Sequence, residues 1–253
     1  TWMENLMAIN FSDLGGGGGA SFKQITKVIN STQSFTVPAD VTQVEVILCG
    51  GGGGGSAGFR GNNNMVLGAS GGGGSIDFGT LTVTAGASYT VTIGAGGAKS
   101  ADSNNAAGSI GGNSSFGALL TTLGGVYGIP GASYGTSEAV RKGGAGGRGG
   151  STPMNTTDAH AWIMIAALPG SPGPFGLAGG GGGGGAVSYT GNMSAAPGSN
   201  GGGHGSYDQG TNRHALANTG SGGGGGQGRY DSSGYDGGNG GSGVCIIKYW
   251  SAV

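Results

Sequence analysis

Hydrophobic and polar positions alternate with a period of two in several short stretches, which is the pattern of half-buried β-strands. Val44, Val46 and Leu48 alternate with Gln43, Glu45, Ile47 and Cys49, and Leu81 and Val83 alternate with Thr80, Thr82 and Thr84. Tyr89, Val91 and Ile93 repeat the period against Ser88, Thr90 and Thr92, and Val244 to Trp250 predicts a last, nearly continuous strand. Phe22 to Ile29 and Phe35 to Pro38 are predicted as further strands. The first twenty residues differ. Trp2, Leu6, Ile9 and Phe11 form a short apolar segment without a partner in its own neighbourhood, which predicts an attachment segment over 1–20 ahead of a glycine-rich domain over 21–253. Within that domain the strands fall mainly in 34–95 and 244–250, and the region 96–243 carries loops.

Between the strands lie uninterrupted glycine runs, Gly15 to Gly19, Gly50 to Gly55, Gly71 to Gly74, Gly179 to Gly185 and Gly222 to Gly226. One reading is flexible linker. The other is a polyproline-II-type helix of three residues per turn and about 3.1 Å rise, in which six residues reach roughly 19 Å. Such a helix makes no internal hydrogen bonds, so its backbone groups need neighbours, and glycine lets adjacent backbones come close enough to supply them. The run at Gly50 is fused directly to the strand ending at Cys49, and the runs are similar in length. Both features favour a stack of glycine helices, and the predicted fold class is all-β with stacked polyglycine-II helices and little or no α-helix.

Composition tests this reading. The 68 Gly and 7 Pro of 253 residues approach the level at which chains are usually disordered. Disordered chains are charged and poor in apolar residues, whereas this one is 8% charged and 35% hydrophobic, with its apolar residues grouped into strands. Collagen is excluded because the glycines lack the G-x-y period. With 10 Lys and Arg against 11 Asp and Glu and no basic block, neither duplex nucleic acid nor an anionic membrane surface is an expected partner. The apolar run Ala161 to Leu168 stops at Pro169, too short to insert into a membrane, and the N-terminus lacks the pattern of a secretory signal.

The segment Ser34 to Val46 followed by a glycine run, then Leu81 to Gly97, then Gly112-Asn113-Ser114-Ser115-Phe116-Gly117, and finally Gly240-Gly241-Ser242-Gly243-Val244, resembles the glycine-rich domain at the ends of bacteriophage tail fibres. The likeness covers residues 34–125 and the C-terminal strand. From about 126 to 236 the chain is similar in style to the receptor-binding tip adhesins of T-even-like phages. The resemblance implies layered polyglycine helices with host-recognition loops at their ends, a location at the distal tip of a virion's tail fibre, and two kinds of partner. These are a host outer-membrane protein or surface glycan, and a tail-fibre protein or other virion subunit, the latter reached through Trp2, Leu6, Ile9 and Phe11.

The inserts between glycine runs support recognition without the resemblance. They are Ser56 to Ser70, Val126 to Lys142, Ser151 to Ala178, Ala186 to Asn200, His204 to Ser221 and Gln227 to Asp236. They set Phe59, Arg60, Tyr134, Trp162, Tyr189, Met193, Tyr207, Arg213, His214, Arg229, Tyr230 and Tyr235 among Gly, Ser and Asn. A few large amphipathic anchors among small adaptable residues is the composition of binding loops. Burial beneath the loops is the competing role for these aromatics. For Trp162, burial and membership of an exposed apolar patch stand on equal terms.

Signs of catalysis are absent. Two G-x-S-x-G strings, at Ser70 and Ser133, are what chance yields in so Gly- and Ser-rich a chain, and neither joins a strand to a helix as a nucleophile elbow must. His160 with Asp158, and His204 with Asp208 and His214, match no zinc spacing, so these histidines read as loop residues. Cys49 and Cys245 sit in aliphatic strands and read as small buried hydrophobes, with a disulfide between them the minor alternative. The expectation is a non-enzymatic adhesin without cofactor or metal. A purely structural fibre protein and an ice-binding protein built on the same glycine helices are the alternatives.

Overall fold

The structure is a computed structural model that describes residues 21–61, 64–66, 68–100, 106–129, 170, 172–181, 186–188, 191–193, 197–205, 213–229 and 236–252. Among these residues there is no α-helix, and a 3-10 turn lies at Pro174–Gly176. The protein is all-β, as the alternation predicts.

Two antiparallel sheets pack face to face. The first contains β1 (Phe22–Ile29), β3 (Gln43–Cys49), β6 (Ile76–Thr82) and β13 (Val244–Ala252) in the order β1-β13-β3-β6. The second contains β2 (Gln33–Thr36), β7 (Ser88–Thr92), β8 (Ser114–Phe116) and β9 (Leu120–Thr122) in the order β2-β7-β8-β9. Because side chains alternate across a strand, Val44, Val46 and Leu48 of β3 and Cys245, Ile247 and Tyr249 of β13 point to one side. There they join Phe35, Val91 and Phe116 from the second sheet in a single buried cluster. Phe116 lies at its centre, stacked on Tyr89 at 5.3 Å and tilted against Phe35 at 6.1 Å between ring centroids. Each such fully buried side chain contributes about 1.5–3 kcal/mol relative to an exposed one.

The register settles the cysteines. Cys49 pairs with Val244 and Cys245 with Leu48, so the two thiols sit on neighbouring strands but one residue out of step, on opposite faces of the sheet. They are free, and burial pushes both thiols up to about 12. They act as small buried hydrophobes.

Beyond Cys49 the chain leaves the sheet as a glycine helix, and its hydrogen bonds repeat every three residues. The N–H groups of Gly50, Gly53 and Ser56 donate to the carbonyls of Ser75, Gly72 and Ala69; those of Gly51, Gly54 and Ala57 donate to Gly112, Ser109 and Ala106; those of Gly52 and Gly55 donate to Gly241 and Gly238. In each set the partner number falls by three as the donor number rises by three, so these three neighbours run antiparallel. The carbonyls are served by three parallel neighbours: Gly52 and Gly55 accept from Gly97 and Ser100, Gly51 and Gly54 from Gly125 and Gly128, and Gly53 and Ser56 from Gly223 and Gly226. A helix of three residues per turn aims its donors and acceptors sideways in turn, and here six surrounding segments receive them. The 50–57 segment is therefore the buried axis of a bundle of polyglycine-II helices. Segment 220–226 repeats the arrangement beside it, donating from Gly222 to Gly179, from Gly223 to Gly53 and from Gly224 to Arg213, and accepting at Gly220 and Gly223 from Gly74 and Gly71. The glycine runs at 50–55, 71–74 and 222–226 are a packed body rather than linkers.

Sandwich and body are joined at Ser114, which is fully buried. Its hydroxyl donates to the Cys49 carbonyl at 2.8 Å and accepts the Gly94 N–H at 2.9 Å, satisfying both where the strands turn into glycine helices. Ser114→Ala is expected to lower stability by about 2–4 kcal/mol, since it strands a buried donor and a buried acceptor that each cost about 1–3 kcal/mol. Denaturant titration measures it, and a loss under about 0.5 kcal/mol, the usual range for surface changes, would remove the joint from the account.

Candidate recognition pole

The axial helix and its six neighbours reach the same far end of the body. The bonds from Ser56 to Ala69, Ala57 to Ala106, Ser100 to Gly55, Gly128 to Gly54, Gly226 to Ser56 and Gly55 to Gly238 gather residues 57, 69, 100, 106, 128, 226 and 238 at the end of the axial helix remote from Cys49. These residues flank the points near 58, 101, 130 and 228 where inserts begin, so those points of departure lie together at one pole. Short strands form there as well. β4 (Phe59–Gly61) and β5 (Asn64–Val66) make a hairpin, β10 (Ala186–Ser188) and β11 (Gly191–Met193) make another, and β12 (Gly228–Arg229) pairs in parallel with β10. β12 also lies against β4 and β5. Three inserts far apart in sequence thus meet, and Phe59, Arg60, Met193 and Arg229 belong to adjoining strands.

Arg213 and His214 lie on the outside of the bundle at the level of that far end, beside Gly224 and Gly238, tied to the segment at 236–239. The Lys99 ammonium pairs with the Asp236 carboxylate at 2.5 Å, and the Arg213 guanidinium donates to the Asp236 carbonyl at 3.1 Å. The Asn239 N–H donates to His214 Nδ1 at 2.9 Å, and the Lys99 N–H to the Asn239 side-chain carbonyl at 2.8 Å. Burial, with the positive charges of Arg213 and Lys99 beside it, holds the His214 imidazole below its usual range and favours the neutral ring. These contacts stitch 213–214 to 236–239 along the side of the bundle. Tyr134, Trp162, Tyr189, Tyr207, Tyr230 and Tyr235 lie outside the described residues, as do Trp2, Leu6, Ile9 and Phe11.

Two of the inserts are held against the body over part of their length. In the first, spanning Ser151 to Ala178, the end at 172–178 straps across the outer face of the first sheet. Leu177 and Ala178 pack with Cys49, Val244, Ile76 and Ile246, and the Phe175 ring meets Phe78 edge-on at 5.3 Å. Phe175 and Ala178 hold φ of 56° and 50° to do so, a left-handed conformation that costs a non-glycine residue about 1–3 kcal/mol. In the second, spanning His204 to Ser221, the chain returns to the body at Arg213, whose carbonyl accepts from Gly224, and stays bonded to it through Ala215 and Leu216. A buried amide went unforeseen. Gln227 at the end of its glycine helix is fully buried with neither amide atom bonded, and a polar residue ending a glycine run carries no sequence signal for burial.

Among the described residues no group of three or more His, Cys, Asp or Glu could hold a metal ion, and no helix is long and apolar enough to cross a membrane. No curated protein matches the chain. A family model described as a glycine-rich domain matches residues 26–250, taking in both sheets, the glycine body and the inserts it carries, and the chain belongs to that glycine-rich domain family.

Proposed function

We propose that this protein is a phage tail-fibre tip adhesin, a non-enzymatic receptor-binding protein located at the distal end of the fibre in the virion. It binds a host outer-membrane protein or surface glycan through the inserts at the far pole. The observation that carries this reading is polarity. The described chain enters at Phe22, paired with Ala252 at the end of the sandwich farthest from the glycine body, while β4, β5, β10, β11 and β12 cluster at the opposite end. A protein that hangs from a fibre by one end and reads a surface with the other needs this separation. The apolar segment with Trp2, Leu6, Ile9 and Phe11 precedes the entry point and is assigned to fibre attachment.

The glycine bundle suits the task for an energetic reason. Loops fixed at both ends to a rigid body lose less entropy on binding than free loops, and that saving appears as affinity. The test is capture of intact host cells and of host outer-membrane extract by the isolated protein, read by co-sedimentation. Capture of host but not of unrelated cells supports the adhesin. Equal failure with both, from protein that is folded by its melting curve, sinks it in favour of a structural role.

A further inference from the structure

The first sheet carries a site of a different kind on its outer face, at the pole opposite the inserts. Pairing of β13 with β3 stops at Lys248 opposite Glu45, although β13 continues along β1 to Ala252 and β3 begins at Gln43 against β6. The two central strands therefore part, and a cleft of about 260 Å³ opens at their end. Its outer wall is chemically distinctive. The Trp250 side chain is 43% exposed although it sits in a central strand. Around it stand Gln24, directly across from it on β1, with Gln43, Glu45, Thr80 and Lys248. None of these five polar side chains takes part in a hydrogen bond or ion pair. Asp40 closes the lower rim, held there because its carboxylate accepts the Ala252 N–H and the Ser251 hydroxyl, bonds that keep it below the usual carboxylate range.

We propose that this cleft is a saccharide-binding site that takes one neutral pyranose unit. A pyranose has a flat C–H face and a rim of hydroxyls that both donate and accept. The indole offers an apolar face of matching shape. The two amides, the carboxylate, the hydroxyl and the ammonium supply donors and acceptors in both senses around it. Glu45 and Lys248 offset each other and the Asp40 carboxylate leaves one net negative charge at the rim, which disfavours an anionic ligand and suits a neutral one. The volume lies just under the roughly 300–1,000 Å³ of pockets that enclose drug-sized ligands, in keeping with a single ring of a longer chain. The site is independent of the recognition pole.

The test uses the indole N–H spectrum of the full-length, ¹⁵N-labelled protein, in which three tryptophans give three signals and Trp250→Phe identifies the one from Trp250. The probes are the methyl glycosides of glucose, galactose and N-acetylglucosamine, with sorbitol as a polyol lacking the ring face. A saturable shift of the Trp250 signal with at least one glycoside and not with sorbitol is expected. In Gln43→Ala, at an exposed position, and Lys248→Ala, at a half-buried one, the same glycoside should bind at least about tenfold more weakly, with the rest of the spectrum unchanged. No saturable shift with any glycoside overturns the proposal. So does a shift matched by sorbitol, or one that both variants retain in full.

Discussion

Gly52→Ala is expected to lower the melting temperature by roughly 8–16 °C, whereas Gly79→Ala, the same chemical change, is expected to raise it by a few degrees. A Cβ on Gly52 would be driven into the Ser221 carbonyl and would lie 2.8 Å from the carbonyl oxygen of Gly220. The neighbours cannot step aside singly. Gly52 donates to Gly241 and accepts from Gly97, Ser221 accepts from Gly241, and the same carbonyl contacts recur from Gly53 to Val126, Gly54 to Ala98 and Gly55 to Gly224. Displacing one helix breaks bonds on several sides, so the cost should exceed the usual 1–3 kcal/mol of overpacking and reach about 4 kcal/mol. At roughly 2–4 °C per kcal/mol for a domain of this size, that gives the stated drop. At Gly79, in β6, a Cβ meets nothing within 4 Å. The methyl there only restricts the unfolded chain, worth about 0.4–1 kcal/mol. Thermal melts followed by circular dichroism decide the matter. If Gly52→Ala melts within a couple of degrees of the parent, the bundle is not close-packed at its axis.

The contrast between these glycines also marks what the sequence could and could not reveal. The strands around Val44–Val46–Leu48, Tyr89–Val91 and Ile247–Tyr249 were legible because a half-buried strand must alternate, and their inward residues do form the core. β8 and β9, three residues each, are too short to show a period, and their place depends on pairing with β7 and with each other. Stacking of the glycine runs was legible from their fusion to strands, but the identity of their neighbours was not. A run of identical residues without side chains carries no register, and each run takes its partners from the strand to which it is anchored. For the same reason the inserts looked uniform. Nothing in Pro174–Phe175–Gly176–Leu177 separates a displayed loop from a strap, until Ile76 and Phe78 are seen to offer the strap an apolar landing. The cleft beside Trp250 was hidden more deeply, because it exists only where a strand ladder ends.

On the adhesin reading, the short strands at the far pole and the seam around Arg213 beside them should respond oppositely to substitution. Phe59→Ala and Arg229→Ala change residues on adjoining strands at the far pole. Aromatic and arginine anchors at an interface cost about 2 kcal/mol or more when truncated, so if the protein binds host cells as proposed, each variant should bind them about 30-fold more weakly and the pair should abolish binding, at melting temperatures close to the parent. Arg213→Ala should do the reverse. Its guanidinium bonds the Asp236 carbonyl, and Asp236 in turn holds Lys99, so truncation loosens the seam between 213–214 and 236–239. The Lys99–Asp236 ion pair, about one third exposed on each side, contributes at most about 1 kcal/mol and survives the substitution, so the expected loss is that of the bond from the charged guanidinium, about 1.5–3 kcal/mol. Host binding and thermal stability measured on the same preparations separate the cases. Full host binding by the Phe59→Ala, Arg229→Ala pair would move the receptor site away from β4 and β12. Lost binding in Arg213→Ala at unchanged stability would turn the seam into a contact surface.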